Sequence, residues 1–118
     1  MVEWEVAYTA GLFDGEGCVR LQRNQNGKYG LRCYIAQKDP RPLEWVAERF
    51  GGKINYFANN GKICHWYRFG ADAVLFLVAV EPFLIVKRAQ VQLAVRSWPD
   101  KMTEEVALEL SRMKKELI

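Results

Sequence analysis

One pattern, which occurs twice in the sequence, constrains the fold more than any other feature. Apolar and polar residues alternate between Cys18 and Lys38, and again across Lys53–Phe57 and Ile63–Phe69. An Asn-Gly pair lies in the segment that connects the two runs of each region, NQNGKYG in the first and ANNGK in the second. Alternation with period two is typical of half-buried strands, and Asn-Gly favours a tight hairpin turn. The sequence therefore predicts two β-hairpins.

Helical segments surround the two hairpins. The spacing of apolar residues predicts a first helix over about Glu3–Phe13 and a second that begins at Asp39-Pro40 and ends at Gly51-Gly52. Further helices are expected over about Ala71–Val80 and Leu84–Trp98, and a last one with Thr103 as its cap. The expected fold is a single α+β domain over 1–118 with the order αββαββα, in which helices cover one face of a four-stranded antiparallel sheet.

The charges are unevenly distributed. The net charge is only +3, from 17 Lys and Arg against 14 Asp and Glu. Residues 18–38 and 51–70 nevertheless contain basic side chains and no acid. One such segment would indicate only a solvated basic surface, but two segments with the same pattern favour a face that binds a polyanion.

The residues expected on the open face of the sheet are suited to duplex DNA. Arg, Gln and Asn can form paired hydrogen bonds with base edges, and a β-ribbon fits the major groove. Readers of single-stranded RNA present aromatic rings instead, and amides and guanidinium groups outnumber such rings here. His65, the only histidine, is interpreted as a surface or base-contacting residue rather than a catalytic base or a ligand. The candidate DNA-binding residues are Arg20, Gln22, Asn24, Lys28, Arg32, Tyr34, Lys53, Asn55, His65 and Tyr67.

One point of the second hairpin stays open. Trp66 and Arg68 share a parity, so both cannot comfortably be buried. Trp66 is assigned to the core, and Arg68 is left unassigned.

The cysteines and the N-terminus indicate an intracellular protein that is not secreted. Cys18, Cys33 and Cys64 are odd in number and lack CxxC spacing, so they are interpreted as reduced core residues. The sequence MVEWEV does not resemble a signal peptide, and no apolar stretch is long enough for a membrane span.

The first helix combines small residues with acids at its end. Ala7, Gly11 and Gly15 recur every four residues, a spacing that lets another helix approach closely. That helix could belong to the same chain or to a second copy related by a twofold axis. In a dimer, Asp14 and Glu16 of both copies would meet at the helix ends, an arrangement that divalent cations such as Mg²⁺ would stabilise.

The segment TAGLFDGEG, Thr9 to Gly17, resembles the motif that names the LAGLIDADG homing endonucleases. Thr9 stands where the name has Leu, Gly15 stands where it has Ala, and Glu16 replaces the more usual Asp. The segments YIAQKDPRPLEWVAERFGGKI and VEPFLIVKRAQVQLAV also resemble blocks of that family, in the same order along the chain.

The resemblance implies a metal-dependent, site-specific DNA endonuclease. Glu16 and the carbonyl of Gly15 would bind the catalytic Mg²⁺, while Asp14 would hold the helix end and the partner chain. Gln37 and Arg41 would order water and phosphate near the cut, and Lys87 would polarise the attacking water or steady negative charge. A single motif implies a homodimer, with Ala7, Gly11, Asp14 and Gly15 at its interface, and a long, nearly palindromic double-stranded DNA target.

Two other functions remain open at this stage. The first is a nucleic-acid-binding protein of the same fold that does not cut, such as an intron-splicing maturase or a transcription factor. The second is a basic domain that binds polyanions without specificity, which would show a steep salt dependence.

Overall fold

The computed structural model describes residues 1–57 and 61–116 of the chain. The predicted turn in ANNGK falls largely on residues 58–60 and so lies outside the described residues. Two helix–hairpin units come first and the remaining helices follow. The elements are α1 Glu3–Glu16, β1 Gly17–Arg23, β2 Tyr29–Gln37, α2 Arg41–Phe50, β3 Lys53–Phe57, β4 Ile63–Phe69, α3 Gly70–Val80, a 3-10 turn Glu81–Phe83, α4 Arg88–Ser97 and α5 Glu104–Glu116.

The four strands form one antiparallel sheet in the order β1-β2-β4-β3. In register, Val19 lies opposite Cys33, and Trp66 lies between Ile35 on one side and Ile54 on the other. These residues belong to the parity that the sequence assigns to the core. The predicted α+β class, the antiparallel sheet and the order of elements are confirmed.

The core lies between the sheet and the helices. Val19, Cys33, Ile35 and Trp66 of the sheet are fully buried, together with Phe13 of α1 and apolar residues of the later helices. All three cysteines are buried and free, as predicted. Burial raises the pKa of the Cys33 thiol to about 12, so this group stays protonated at neutral pH. The sheet therefore has one face committed to the core.

Trp66 determines how α2 ends. Its indole Nε1 donates to the carbonyl of Gly51 at 2.8 Å. The following Gly52 has a φ of +98°, and a Cβ at that position would lie 2.5 Å from the indole nitrogen. Only glycine fits there without movement of the tryptophan.

Arg68, which the sequence left unassigned, lies on the same face as Trp66 but at the margin of the core. Its Nη1 donates to the carbonyl of Phe50 at 2.6 Å, and its Nη2 lies 3.4 Å from Asp72. A guanidinium group thus satisfies a carbonyl at the end of α2 rather than facing the open side of the sheet.

Two predicted helix bounds are wrong. The first helix does not end at Phe13 but continues to Glu16, so both acids of its end belong to its last turn. The helix predicted from Leu84 begins only at Arg88, because Leu84 is extended and the next amides bond to Asp14 instead of to helix carbonyls.

The other helix signals behave as expected, within one residue. Asp39 accepts the Arg41 amide at 3.0 Å, although α2 begins at Arg41 and Pro40 occupies the cap. Thr103 accepts the amide of Val106 at 3.3 Å and so caps α5. Within the described parts of the chain, no helix has the length and apolar character needed to cross a bilayer.

Candidate active site and nucleic-acid interface

Helix α1 passes into strand β1 without a connecting residue. The amide of Gly17 still donates to the carbonyl of Phe13, but the backbone of Gly17 is already extended. A Cβ on Gly17 would lie 2.4 Å from the Phe13 ring and 2.6 Å from its carbonyl oxygen. A glycine is therefore required at this junction, which places the acids of α1 directly beside the start of the sheet.

Asp14 is bonded within its own chain. Its carboxylate accepts the amides of Ile85 at 2.7 Å, Val86 at 3.2 Å and Lys87 at 2.9 Å. These amides precede α4, where a carboxylate also interacts favourably with the helix dipole. Asp14 thus fixes the end of α1 to the start of α4.

The same contact brings Lys87 to the end of α1. Its ammonium group donates to the carbonyl oxygen of Asp14 at 2.5 Å, two residues before Glu16. Glu16 is exposed, and no hydrogen bond or ion pair to its carboxylate is found among the residues the structure describes. The lysine is therefore held at the last turn of α1, the turn that also carries Glu16.

Gln37 lies at the same end. Gly17 pairs with Ile35 across β1 and β2, and Gln37 follows two residues later at the end of β2. The side chain is half-buried. The structure therefore places Glu16, Lys87 and Gln37 around the junction of α1 and β1.

Arg41 is not part of that group. It forms an ion pair with Asp39, through Nε at 3.0 Å to both carboxylate oxygens and through Nη2 at 2.5 Å. The Arg41 guanidinium holds the pKa of Asp39 down at about 2, although both side chains are exposed. Arg41 also lines a groove of about 430 Å³ with Trp4 and Tyr8, beside the first turns of α1.

One copy of the chain does not supply a complete cation site. Among residues 1–57 and 61–116, no group of three or more His, Cys, Asp or Glu side chains lies close enough to hold a metal. Glu16 and the carbonyl of Gly15 are hard oxygen donors of the kind Mg²⁺ accepts. Both oxygens of Asp14 are engaged by amides, so Asp14 has less capacity to act as a ligand. The donors present fit Mg²⁺ if further oxygens come from outside the chain.

The face of the sheet that does not pack against the helices is open and basic. Arg20, Gln22, Lys53 and Asn55 are exposed, and Arg32 and Tyr34 are partly exposed in the middle of the sheet. Asn24 and Lys28 lie at the tip of the first hairpin, where the Asn24 amide donates to the Lys28 carbonyl at 2.7 Å. A shallow pocket of about 200 Å³ lies at the centre of this face, lined by Arg20, Arg32, Tyr34, Asn55, His65 and Tyr67.

Aromatic residues support this central pocket. The rings of Tyr34 and His65 meet edge to face, 6.0 Å apart. Burial raises the pKa of the Tyr34 hydroxyl, and the neighbouring Cys18 adds to the effect. The hydroxyl therefore stays protonated and can donate a hydrogen bond at neutral pH.

Phe69 is a residue of the open face that the sequence analysis missed. It lies opposite Arg32 in the register of β2 and β4, with its ring 4.9 Å below the guanidinium carbon. The alternation that places His65 and Tyr67 outward continues to Phe69, so the pattern itself contained the signal. Asp39, the partner of Arg41, was identified only as a helix cap.

The small residues of α1 face away from the chain. Ala7, Gly11 and Gly15 are exposed, and a Cβ on either glycine would meet no atom of residues 1–57 and 61–116 within 4 Å. The fold of one chain therefore does not use the space that these glycines leave. Asp14, which was expected at the same interface, points inward to α4.

Comparison with known proteins gives no match at the level of sequence, either to a family profile or to a curated protein. Comparison of structures gives 80 matching chains. The homing endonuclease I-CvuI, solved with the I-CreI target DNA in the presence of magnesium, aligns with a TM-score of 0.73 and 19% identity. The alignment covers 98% of this chain and 80% of I-CvuI.

Two further structures show the same similarity. An archaeal intron-encoded homing endonuclease complexed with DNA aligns with a TM-score of 0.68 and 20% identity, over 98% of this chain and 82% of that one. The LAGLIDADG meganuclease I-AabMI, bound to uncleaved DNA, aligns with a TM-score of 0.69 and 20% identity, over 92% of this chain but only 43% of I-AabMI. The TAGLFDGEG segment, the order of elements and these alignments agree: the chain has the fold of the LAGLIDADG homing endonucleases.

Proposed function

We propose that this protein is a metal-dependent, site-specific DNA endonuclease that acts as a homodimer and makes a double-strand break in a long, nearly palindromic target. The observation that carries the proposal is the end of α1. There Lys87 is bonded to Asp14, and the exposed Glu16 follows Asp14 by two residues at the point where the sheet begins.

The sheet face supports duplex DNA as the substrate. Its strands present guanidinium, amide and phenol groups, and no Asp or Glu lies on any of the four strands. Phosphates are attracted to such a surface, while the amides and guanidinium groups are suited to base edges. The structural relatives named above include proteins solved in complex with DNA.

The outer face of α1 supports a dimer. Glycine inside a helix costs about 1 kcal/mol relative to alanine, and no residue that the structure describes requires a glycine at Gly11. A second α1, crossing at Ala7, Gly11 and Gly15, would use that space.

The residues at the helix end have proposed roles in hydrolysis. Glu16 and the Gly15 carbonyl would bind Mg²⁺, which when bound lowers the pKa of water and offsets charge on the phosphate. The positively charged ammonium group of Lys87 would lie near the attacking water or near the developing negative charge. Gln37 and Arg41 would orient water and phosphate, and Arg41 would have to exchange its contact with Asp39 for one with DNA.

Cleavage of a randomised palindromic duplex library with and without Mg²⁺ tests the proposal. We expect Mg²⁺-dependent double-strand cuts at a restricted set of sequences. Glu16→Gln should lower the rate about a hundredfold or more while leaving binding intact, because a metal ligand contributes several kcal/mol to the transition state. Glu105→Gln, another exposed glutamate in a terminal helical turn, is the matched control and should cut normally.

Other outcomes would support the alternatives. Glu16→Gln cutting at the wild-type rate would remove Glu16 from the metal site. Sequence-specific binding without any cutting would indicate a maturase or a transcription factor. Binding without sequence preference that weakens steeply with salt would indicate a general polyanion-binding domain.

We also propose an intracellular location. Cys18, Cys33 and Cys64 are all free and buried, which is consistent with a reducing compartment.

A further inference from the structure

Two side chains of the open face, one on the edge strand β1 and one on the central strand β2, form a hydrogen-bonded pair. Arg32 donates from Nη1 to the Oε1 of Gln22 at 2.7 Å, across strands β1 and β2. The residue opposite Gln22 is Gly30, so no side chain stands between the two groups. Arginine has no acceptor, so the amide of Gln22 must direct its oxygen toward Arg32 and its NH₂ group away from it.

The guanidinium group of Arg32 is held from below as well. Its central carbon lies 4.9 Å from the Phe69 ring centre and 5.7 Å from that of Tyr67. Its Nε is buried and, among the described residues, has no hydrogen-bond partner. Stacking on aromatic rings favours one orientation of the guanidinium plane at a partly exposed site. Arg32 therefore presents its outer N–H groups in a preset direction.

No acid compensates these donors. Within the described parts of the chain, no carboxylate forms an ion pair with Arg32 or with its neighbour Arg20. Arg20 and Arg32 line the central pocket and Gln22 is exposed on the neighbouring strand, so the donors of Gln22 and Arg32 are available to a ligand rich in acceptors.

The hydrogen bond between the two residues changes what Gln22 can recognise. A free glutamine reads adenine by accepting from N6 and donating to N7 at once. Here Arg32 occupies one of the two lone pairs of the amide oxygen and fixes its direction, so donation from the NH₂ group is favoured over the paired contact with adenine. Together with the outer N–H groups of Arg32, the pair presents mainly donors. Guanine shows two acceptors, O6 and N7, in the major groove, whereas adenine shows one acceptor and one donor.

We propose that Gln22 and Arg32 together read one guanine in each half of the DNA target, and that their mutual hydrogen bond orients the Gln22 amide so that guanine is preferred over adenine. This inference rests on the proposed function, since it requires duplex DNA on the sheet face. A phosphate oxygen could also accept from these donors, so the experiment must separate a base from the backbone.

Selection of binding sites from a randomised duplex library, performed in Ca²⁺ or EDTA to prevent cutting, gives the first test. The wild-type protein should select a guanine at one position of each half-site and bind it on the order of tenfold more tightly than adenine. In Gln22→Met, which keeps the length of the side chain, the preference at that position should fall at least threefold. Because glutamine is uncharged, the salt dependence of binding should not change.

The matched control is Gln92→Met. Gln92 lies on α4 and donates to Glu81 at 2.7 Å, so its replacement should leave every base preference unchanged. Arg32→Met should abolish the same guanine preference and also reduce the salt dependence of binding by about one charge.

Replacement of the selected guanine by 7-deazaguanine separates base from backbone contacts, because only the N7 acceptor is removed. A loss of affinity of several-fold in the wild-type protein, and a smaller loss in Gln22→Met, would support the proposal. Equal binding of guanine and 7-deazaguanine would overturn it in favour of a phosphate contact, as would selection of adenine at the position that depends on Gln22. Site-specific binding that depends neither on the N7 atom of a guanine nor on Gln22 would overturn this inference alone. Failure to bind duplex DNA would overturn the proposed function as well.

Discussion

The two faces of α1 differ in what they contact. On the inner face, Thr9, Ala10 and Phe13 are buried, and the Phe13 ring lies 5.6 Å from that of Phe76. On the outer face, Ala7 and Gly11 are exposed, and a Cβ on Gly11 would meet no atom of the described residues within 4 Å. The fold of the single chain accounts for one face only, and a second copy is the occupant that we propose for the other.

The same contrast separates the two acids of the last turn. Asp14 accepts three amides of the segment before α4, whereas Glu16 is exposed at the edge of the open sheet face. Two carboxylates that look equivalent in the sequence therefore have different tasks, one structural and one available for a ligand. Substitutions on each side of α1 can test this division.

The largest effect on stability is expected at Phe13. Phe13→Ala should lower the free energy of unfolding by about 3–5 kcal/mol, because it removes a fully buried ring from the core. Chemical denaturation measures the change. Tyr8→Ala, on the outer side of the same helix, should cost only about 1 kcal/mol, from its edge contact with Trp45. Equal losses for the two variants would contradict the distinction between the faces.

The second-largest effect on stability is expected at Asp14. Asp14→Ala should lower the free energy of unfolding by about 2 kcal/mol, since three amides and the start of α4 lose their acceptor. Hydrogen exchange should show faster exchange of the amides of Ile85 and Lys87. Asp100→Ala, at an exposed position, serves as the control and should have little effect. Unchanged exchange in Asp14→Ala would show that the carboxylate does not hold this segment.

Gly11→Leu should change the free energy of unfolding of the single chain least of the three, and should raise it rather than lower it. With open space around Gly11, the new side chain should stabilise α1 by up to about 1 kcal/mol while blocking a close helix crossing. Light scattering should then show monomers or insoluble protein. Ala79→Leu, on the exposed side of α3, is the matched control and should stay dimeric. A soluble Gly11→Leu dimer would exclude α1 as the interface.

Much of the fold could be predicted because its signals are local. Alternation predicted the parity of β1, β2 and β4, and the glycines at 51 and 52 predicted where α2 ends. The motif in α1, through its resemblance to a known family, led to the fold that the structural comparisons confirm.

The predictions failed where a residue that is distant in the sequence determines the local structure. The late start of α4 depends on Asp14, which lies 73 residues before Lys87 and replaces the helix as the partner of its amides. Arg68 could not be assigned because its partner, the Phe50 carbonyl, lies on another element. The ion pair of Asp39 and Arg41 is local, but a helix cap and a guanidinium partner use the same carboxylate and produce the same sequence signal.

The direct junction of α1 and β1 has a mechanical consequence. Because Gly17 continues from helix to strand with no loop to absorb a rotation, α1 and β1 would act as one lever with its pivot at the helix crossing. A strand of seven residues extends roughly 23 Å, so a tilt of about 5° would displace the far end of β1 by roughly 2 Å relative to its start. If two copies cross through α1, the angle of that crossing would set the separation of the two hairpins, and with it the number of base pairs between the half-sites.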